Sequence, residues 1–379
     1  MGNAGRGAGG KGTPAVSANP LRVLERQSKI ILGGAAVATV LAGILNFTHA
    51  NAVLTFVVSG VALGLLAALV GEATDQLGCY MNPGATGVLQ SAIGNLPELF
   101  VGIFALRAGL IGVVQAAIAG SILGNSLLVL GLAFFVGGLR FGTQKFASEA
   151  PRTVATLLLL AVSALVIPTL AQGLHTPAST HEEALSIACA IVLLVVFAAS
   201  IPVSLAGGPM NVPHETSDEK AQEGKTTWPL WLAIAVLVFA GVGAAFVSDW
   251  FVTALTPAIA VLHLSEAFTG LVIVALAGNA VENFVGIQLA SRNKMDYAIS
   301  VILNSSLQVA LGLTPVLVLL SLVLGGAHLT LVLPPLLVVA LGLSALLGTV
   351  ITYDGKSTWL EGLALIGLYC ILAVSFWWG

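Results

Sequence analysis

The sequence predicts an all-α polytopic membrane protein with about eleven transmembrane helices, arranged as a first helix followed by two inverted five-helix repeats. Three observations predict it. The composition is 57% hydrophobic and only 8% charged, apolar stretches recur along the chain, and one polar motif returns 184 residues further on. Soluble globular chains carry about 25% charged residues, so apolar side chains in this proportion imply a lipid bilayer as the main partner.

Eleven stretches are long enough, or nearly so, to cross a hydrocarbon layer of about 30 Å at about 20 residues each. They lie near residues 29–47, 52–71, 85–106, 110–137, 152–170, 183–204, 228–246, 266–290, 296–322, 329–351 and 357–378. The basic residues test this segmentation independently, because cytoplasmic loops hold the excess of Lys and Arg. With the N-terminus inside, Arg6, Lys11, Arg22, Arg26, Lys29, Arg140, Lys145, Arg152, Lys220, Lys225, Arg292, Lys294 and Lys356 all fall inside, and only Arg107 falls outside. Ten or twelve spans would scramble that thirteen-to-one split, so the expected C-terminus is outside.

The chain then divides into a cytoplasmic tail (1–28), a first transmembrane helix (29–47), an N-terminal repeat (48–206), a cytoplasmic linker (207–227) and a C-terminal repeat (228–379). The tail is Gly-rich and polar with no apolar core of its own, which reads as a flexible segment and not a signal peptide. Within it "GRGAGGKG" nearly spells a phosphate-binding loop, but Gly12 stands where Ser or Thr would hold magnesium and no strand precedes it. No coupling to ATP is therefore visible. The linker's mixed charges and prolines suit a polar connection. Cys79, Cys189 and Cys370 are scattered singly, in no metal or redox spacing. A net charge of −3 over 31 charged side chains gives no footprint for nucleic acid.

The motif is "IGNLPELF" at 93–100, answered by "AGNAVENF" at 277–284. A shift of 184 residues superimposes Gly94 on Gly278, Asn95 on Asn279, Glu98 on Glu282 and "FVGI" on "FVGI", then Ser121 on Ser305, Leu123 on Leu307 and Leu127 on Leu311. Such a register argues for duplication. Five spans separate the copies, an odd number, so the repeats run in opposite directions, as in secondary transporters whose sites lie near the midplane at interrupted helices.

Glu98 and Glu282 lie near the middle of their spans, where a charge costs at least a few kcal/mol. A single intramembrane Glu is often a protonated, hydrogen-bonded structural residue. Two at corresponding points of an inverted repeat, each three residues after an Asn, point instead to shared chemistry. The i, i+3 spacing predicts that Asn95 and Glu98 share one helical face, as do Asn279 and Glu282. Gly94, Gly278 and Pro97 are expected to interrupt the helices and free backbone carbonyls. The ninth span adds Ser305 and Gln308, and the fourth adds Ser121 and Asn125. All are hard oxygen donors, without Cys or His, which favours Ca²⁺ over zinc or copper and leaves manganese or sodium as alternatives. Two carboxylates in a partly dry site cannot easily both stay charged without a cation, so protons and a divalent ion compete for the same oxygens. Exposing that site alternately to each side would exchange one for the other.

At these residues the chain resembles the calcium/proton exchanger family of the calcium/cation antiporter superfamily. The resemblance rests on "GNLPELFVGIFALR" and "GNAVENFVGIQLASRNKMDYAISVILNSSLQVAL", and extends through "GEATDQL", "GSILGNSLLVLGLAFFVGGLRF", "GLVIVALAGN" and "STWLEGLALIGLYCILA". It implies an eleven-span antiporter whose cation site is built from Glu98 and Glu282, with Asn95, Asn279, Ser305 and Gln308 around it. Asn283 stands where the family commonly has His, and Asn304 and Gly124 where it often has Gly and Ser. Pro97 is similar to the sodium-coupled branches. Ca²⁺ and protons are thus the expected substrates, with no cofactor. Export of Ca²⁺ against inward-moving protons would place the chain in a plasma membrane.

Asp75 and Glu266 are candidates for proton coupling or ion access at the inner and outer ends of their spans, by local electrostatics. Glu72 and Asp249 are weaker candidates of the same kind. Glu266, in "LSEAF", is equally suited to a helix start, where the dipole favours a carboxylate. His49, His175, His181, His263 and His328 fall on predicted outer segments, by chance more readily than as a pH sensor. The alternatives are a sodium-coupled calcium exchanger, a passive cation channel, or an intramembrane enzyme. The last has no H-E-x-x-H pair or activated serine to support it.

Overall fold

The computed structural model describes residues 24–81, 83–205, 228–326 and 328–378. Most of the tail, its phosphate-loop near-match and the linker at 207–227 lie outside the described residues. The helices are α1 (Arg26–Phe47), α2 (Ala52–Gly78), α3 (Pro83–Ile93), α4 (Leu96–Arg107), α5 (Ile111–Phe141), α6 (Glu149–Gly173) and α7 (Glu182–Leu205). After the linker come α8 (Leu230–Leu262), α9 (Glu266–Gly278), α10 (Ala280–Ser291), α11 (Met295–Ser321), α12 (Pro335–Ile351) and α13 (Trp359–Ser375).

Among the described residues, eight helical segments are long and apolar enough to cross a membrane. The α9–α10 pair, bent by 65°, makes a ninth, and α12 and α13 are shorter apolar helices of 17 residues. These eleven segments fall where the apolar stretches predict them. A helix of 17 residues is about 25 Å long, at the lower limit for a span.

Side chains fix several of the starts. Asn51 Oδ1 accepts from the amides of Val53 and Leu54 (2.9 and 3.2 Å) at the head of α2, and Thr358 with Glu361 forms a capping box on α13. At the other ends, His49, His175 and His263 adopt left-handed backbone with φ of 50°, 50° and 52°. In each case the next amide reaches back five residues, as Ala50 does to Leu45 O, closing a Schellman turn where glycine is the usual occupant. These three histidines are helix stops.

Two expectations change. The seventh span does not end at 246, since α8 runs through Asp249 and Pro257 to Leu262 and leaves Asp249 exposed three turns before its end. The fold is all-α as expected, with one two-residue antiparallel ladder between Gln144–Lys145 (β1) and Lys356–Ser357 (β2). The tenth span is helical only from Pro335, because Pro334 and Pro335 restrict the backbone before them to extended conformations.

The preceding residues, 328–333, form an extended strap with Leu329, Leu331 and Leu333 buried and the residues between them half-exposed. Its backbone is satisfied by side chains. Leu329 N donates to Ser321 Oγ, Leu331 N to Ser186 Oγ and Leu333 N to Thr169 Oγ1, at 2.9, 2.9 and 2.8 Å. Gln115 Nε2 donates to Thr330 O and Val332 O at 2.9 and 3.0 Å. Irregular backbone at this depth is tolerated only where protein supplies such partners.

At the centre, α5 and α11 are the most deeply buried helices described, and α2 and α8 pack against each other. Each of the two central helices is broken by a π-turn, at Gly124–Val129 and Val309–Leu313, nearly the same point of each repeat. Single π-turns of this kind cluster at functional sites.

Candidate cation site

Asn-x-x-Glu has the spacing of a helix capping box. The backbone obliges: Asn95 and Asn279 are the N-cap residues of α4 and α10, with φ, ψ of −91°, 18° and −86°, 22°. Glu98 and Glu282 are therefore third residues of half-helices, at the positive end of each helix dipole. Asn and Glu do not share a helical face as the spacing predicts, because each Asn lies just outside its helix. Nor does either Asn side chain cap its own helix. Both turn across to the opposite repeat instead.

Asn95 Nδ2 donates to Gln308 Oε1 at 3.2 Å, and Gln308 Nε2 donates to Ser91 Oγ at 2.9 Å. Asn279 Nδ2 donates to Ser121 Oγ at 2.8 Å and to Ala275 O at 2.9 Å. Asn125 Nδ2 donates to Asn279 Oδ1 at 3.2 Å and to Ser305 Oγ at 2.9 Å. Beside this network, Ser126 and Ser306 are bonded Oγ to Oγ at 3.2 Å across α5 and α11.

Among the buried acceptors left without a partner, three lie close together in the first motif. Both carboxylate oxygens of Glu98 and Asn95 Oδ1 are buried without a hydrogen-bond partner among the described residues. An unpaired buried acceptor costs on the order of 1–3 kcal/mol, and more when charged. Three such oxygens within four residues form a donor set for a hard cation. Glu98 and Glu282 lie close enough for their charges to interact, and Asp75 acts on Glu282 in the same way.

Gly278 makes room for this arrangement. A Cβ there would stand 2.7 Å from Glu98 Cγ and 3.0 Å from Oε1, so the Glu98 side chain lies directly on the Gly278 backbone. Gly94 plays no matching part for Glu282, since its added Cβ would meet only its own helix, 2.6 Å from Gln90 O. A narrow cavity lined by Glu98, Ser121 and Gly278, and otherwise by apolar residues such as Val101, Val113 and Leu317, extends toward the predicted outer face.

The structure thus gathers Glu98, Asn95, Gln308, Gly278, Asn279, Ser121 and Ser305, with Glu282 and Asp75 in electrostatic range. Glu266 is apart from them. It is the first residue of α9, after the N-cap Ser265, with Oε2 2.9 Å from where a Cβ on Gly112 would be. Twelve residues of helix, about 18 Å, separate it from Gly278. Sequence reasoning missed the parts of Ser91 and of the π-turns, and took Asn125 as an oxygen donor where it presents its N–H groups.

Paired interrupted helices with carboxylates at their dipole ends, brought together where Glu98 lies on Gly278 in a duplicated bundle, define a secondary-transporter architecture. The sodium/calcium exchanger protein family model matches residues 51–206 and 232–378, and the chain belongs to that family. Within it, the chain falls with the calcium/proton exchangers. It is 35% identical over 345 residues to a "Ca(2+)/H(+) antiporter" of Aphanothece halophytica, covering 87% of this chain and 92% of that one. A "Ca(2+)/H(+) antiporter" of Synechocystis is 36% identical over 335 residues, covering 85% and 90%. Among solved structures, native YfkE is similar with a TM-score of 0.78 and 33% identity, covering 92% of this chain and 99% of that one.

Proposed function

We propose that this protein is a secondary active antiporter that exchanges Ca²⁺ for protons by alternating access, the two ions competing for Glu98 and Glu282. The observation that carries the reading is the pair of unpartnered, buried oxygens on Glu98, beside the unpartnered Asn95 Oδ1, at the crossing of two interrupted helices. Asn95, Asn279, Ser305, Gln308 and Ser121 complete the site, Gly278 lets Glu98 lie across it, and Gly94 ends the inner half-helix. Ca²⁺ binds when the carboxylates are charged, and protonation of the same oxygens expels it. No ATP or resident cofactor enters this cycle. Asp75 guides ions from the inner side and Glu266 marks the outer approach. The N-terminus is cytoplasmic and the C-terminus outside, in a plasma membrane, with residues 48–206 and 228–379 as the two inverted repeats around the linker.

Reconstituted vesicles carrying an internal pH dye, in sodium-free buffer, test this directly. External Ca²⁺ should drive protons out of the vesicles and raise internal pH, and Glu98→Gln or Glu282→Gln should abolish the signal. Wild-type flux in either variant, or Ca²⁺ uptake with no proton movement, would overturn the assignment.

A further inference from the structure

The far end of α10, the half-helix that carries Glu282, is held by side chains from another segment. Arg140 Nη1 donates to Ser291 O at 3.0 Å, and Gln144 Nε2 donates to Ala290 O at 3.3 Å and to Asn293 Oδ1 at 2.8 Å. Ala290 O can only accept, so the Gln144 group that faces it is the amide nitrogen. Gln144 is itself fixed. Its side chain is buried against Gly137, where an added Cβ would stand 1.9 Å from Oε1, and its backbone faces Ser357 in the β1–β2 ladder. Asn293 lies in the left-handed turn that ends α10, with φ of 59°, and Asp296 just beyond it accepts from Ala147 N at 2.6 Å.

The 184-residue shift finds no such clasp at the far end of α4. The counterpart of Asn293 is Gly109, also left-handed with φ of 77° but without a side chain to bond. The counterpart of Ala290 is Leu106, whose carbonyl oxygen lies 3.0 Å from where a Cβ on Gly326 would be and receives no side-chain donor among the described residues. The counterpart of Gln144 is His328, whose Nδ1 lies 2.9 Å from Glu183 Oε1 instead. Among the described residues, then, Glu282 rides on a half-helix tied at its far end by side chains, and Glu98 on one that is not.

We propose that Gln144 is a positioning residue that anchors α10 to the β1–β2 ladder, so that Glu282 stays fixed through the transport cycle. Ala290 follows Glu282 by eight residues, about 12 Å of helix, and a helix passes a constraint at one end to the other. Gln suits the task because one amide offers two N–H groups to two acceptors, whereas Met has a similar reach and no donor. The effect on Ca²⁺ rests on the site reading of the preceding subsection, and the test separates the two.

Full-length protein in nanodiscs, with Cys79, Cys189 and Cys370 replaced by Ser, would carry spin labels at Arg292→Cys and Lys356→Cys, both exposed, for distance measurement by electron paramagnetic resonance. The expected result is one narrow distance, the same with Ca²⁺ and with a chelator, that broadens in Gln144→Met. Asn293→Gly keeps the left-handed turn and copies Gly109, so it should broaden the distance equally, and the double variant should add nothing. In vesicles, folded Gln144→Met should need about fivefold more Ca²⁺ for half-maximal proton flux. An unchanged half-saturation, with or without a loss of stability, marks Gln144 as structural only and overturns the inference. A wild-type distance that changes with Ca²⁺ overturns it too. Wild-type flux in Glu282→Gln overturns the site reading instead and leaves the distance results standing.

Discussion

The two copies of the motif have nearly the same sequence and different shapes. In the first, α3 and α4 follow one another closely enough that Val88–Arg107 counts as one span, although Pro97 lies inside it. In the second, which has no proline, α9 and α10 meet at 65°. Proline is not what bends the chain here. Pro97 is the second residue of α4, in the first turn, where the missing N–H has no partner to lose.

What differs is the surface each leading half-helix packs on. α9 lies along α5, and its contact is backbone on backbone: a Cβ on Gly120 would stand 2.2 Å from Leu271 O, and one on Gly270 2.4 Å from Val113 O. The positions equivalent to Gly270 and Gly120 in the other copy are Thr86 and Asn304, which do not allow that approach. α3 instead leans on α2 and α7, with Thr86 against Gly78, and meets α11 through Gln308, which donates to Ser91 and accepts from Asn95 just beyond the helix. Small residues set how closely helices approach in membranes, so one substituted pair is enough to give two like motifs unlike partners.

The largest test of this comparison is chemical. If both copies supply the ion, Glu98→Gln and Glu282→Gln should each reduce Ca²⁺-driven proton flux to background, although among the described residues only Glu98 has both carboxylate oxygens buried without a partner. A Glu282 variant that retained wild-type flux would break the comparison and, with it, the assignment of both carboxylates to the exchange. Next in size, Gly120→Ala and Gly270→Ala should each destabilise the protein by about 1–3 kcal/mol in thermal unfolding, because the new methyl meets immovable backbone. Gly78→Ala should cost less than either, since the atom 2.4 Å from its added Cβ is the Thr86 methyl, which can rotate away. Equal losses would mean that the two seams are alike after all.

Gly278→Ala pushes on Glu98 and should weaken Ca²⁺ binding by roughly tenfold in calorimetry with the protein still folded. The smallest effects concern the backbone. Pro97→Ala should change stability by less than about 1 kcal/mol and leave flux intact, as a first-turn proline predicts and a helix breaker does not. Exchanging His49, His175 or His263 for Gly should be stabilising by up to about 1 kcal/mol each, since Gly adopts their left-handed backbone without strain.

Much of this was legible from residues alone. The eleven segments follow from the length and composition of apolar runs, which answer to lipid and not to any neighbour. The carboxylate pair followed from the cost of charge at the midplane, and the duplication from a register of identities. The strap at 328–333 was not legible, because its apolar residues read as the start of a span while the groups that satisfy its backbone, Gln115, Thr169, Ser186 and Ser321, lie on four other segments.

The same division holds at the site. The sequence by itself determined which residue types are present, their spacing and that glycine interrupts the helices beside them, because those depend on local backbone chemistry. Only the tertiary structure decided that Asn279 Oδ1 is held by Asn125 while Asn95 Oδ1 is not, and that Glu98 lies on Gly278. Those facts depend on how closely two distant helices approach, and a glycine in one copy where the other has threonine or asparagine sets that distance.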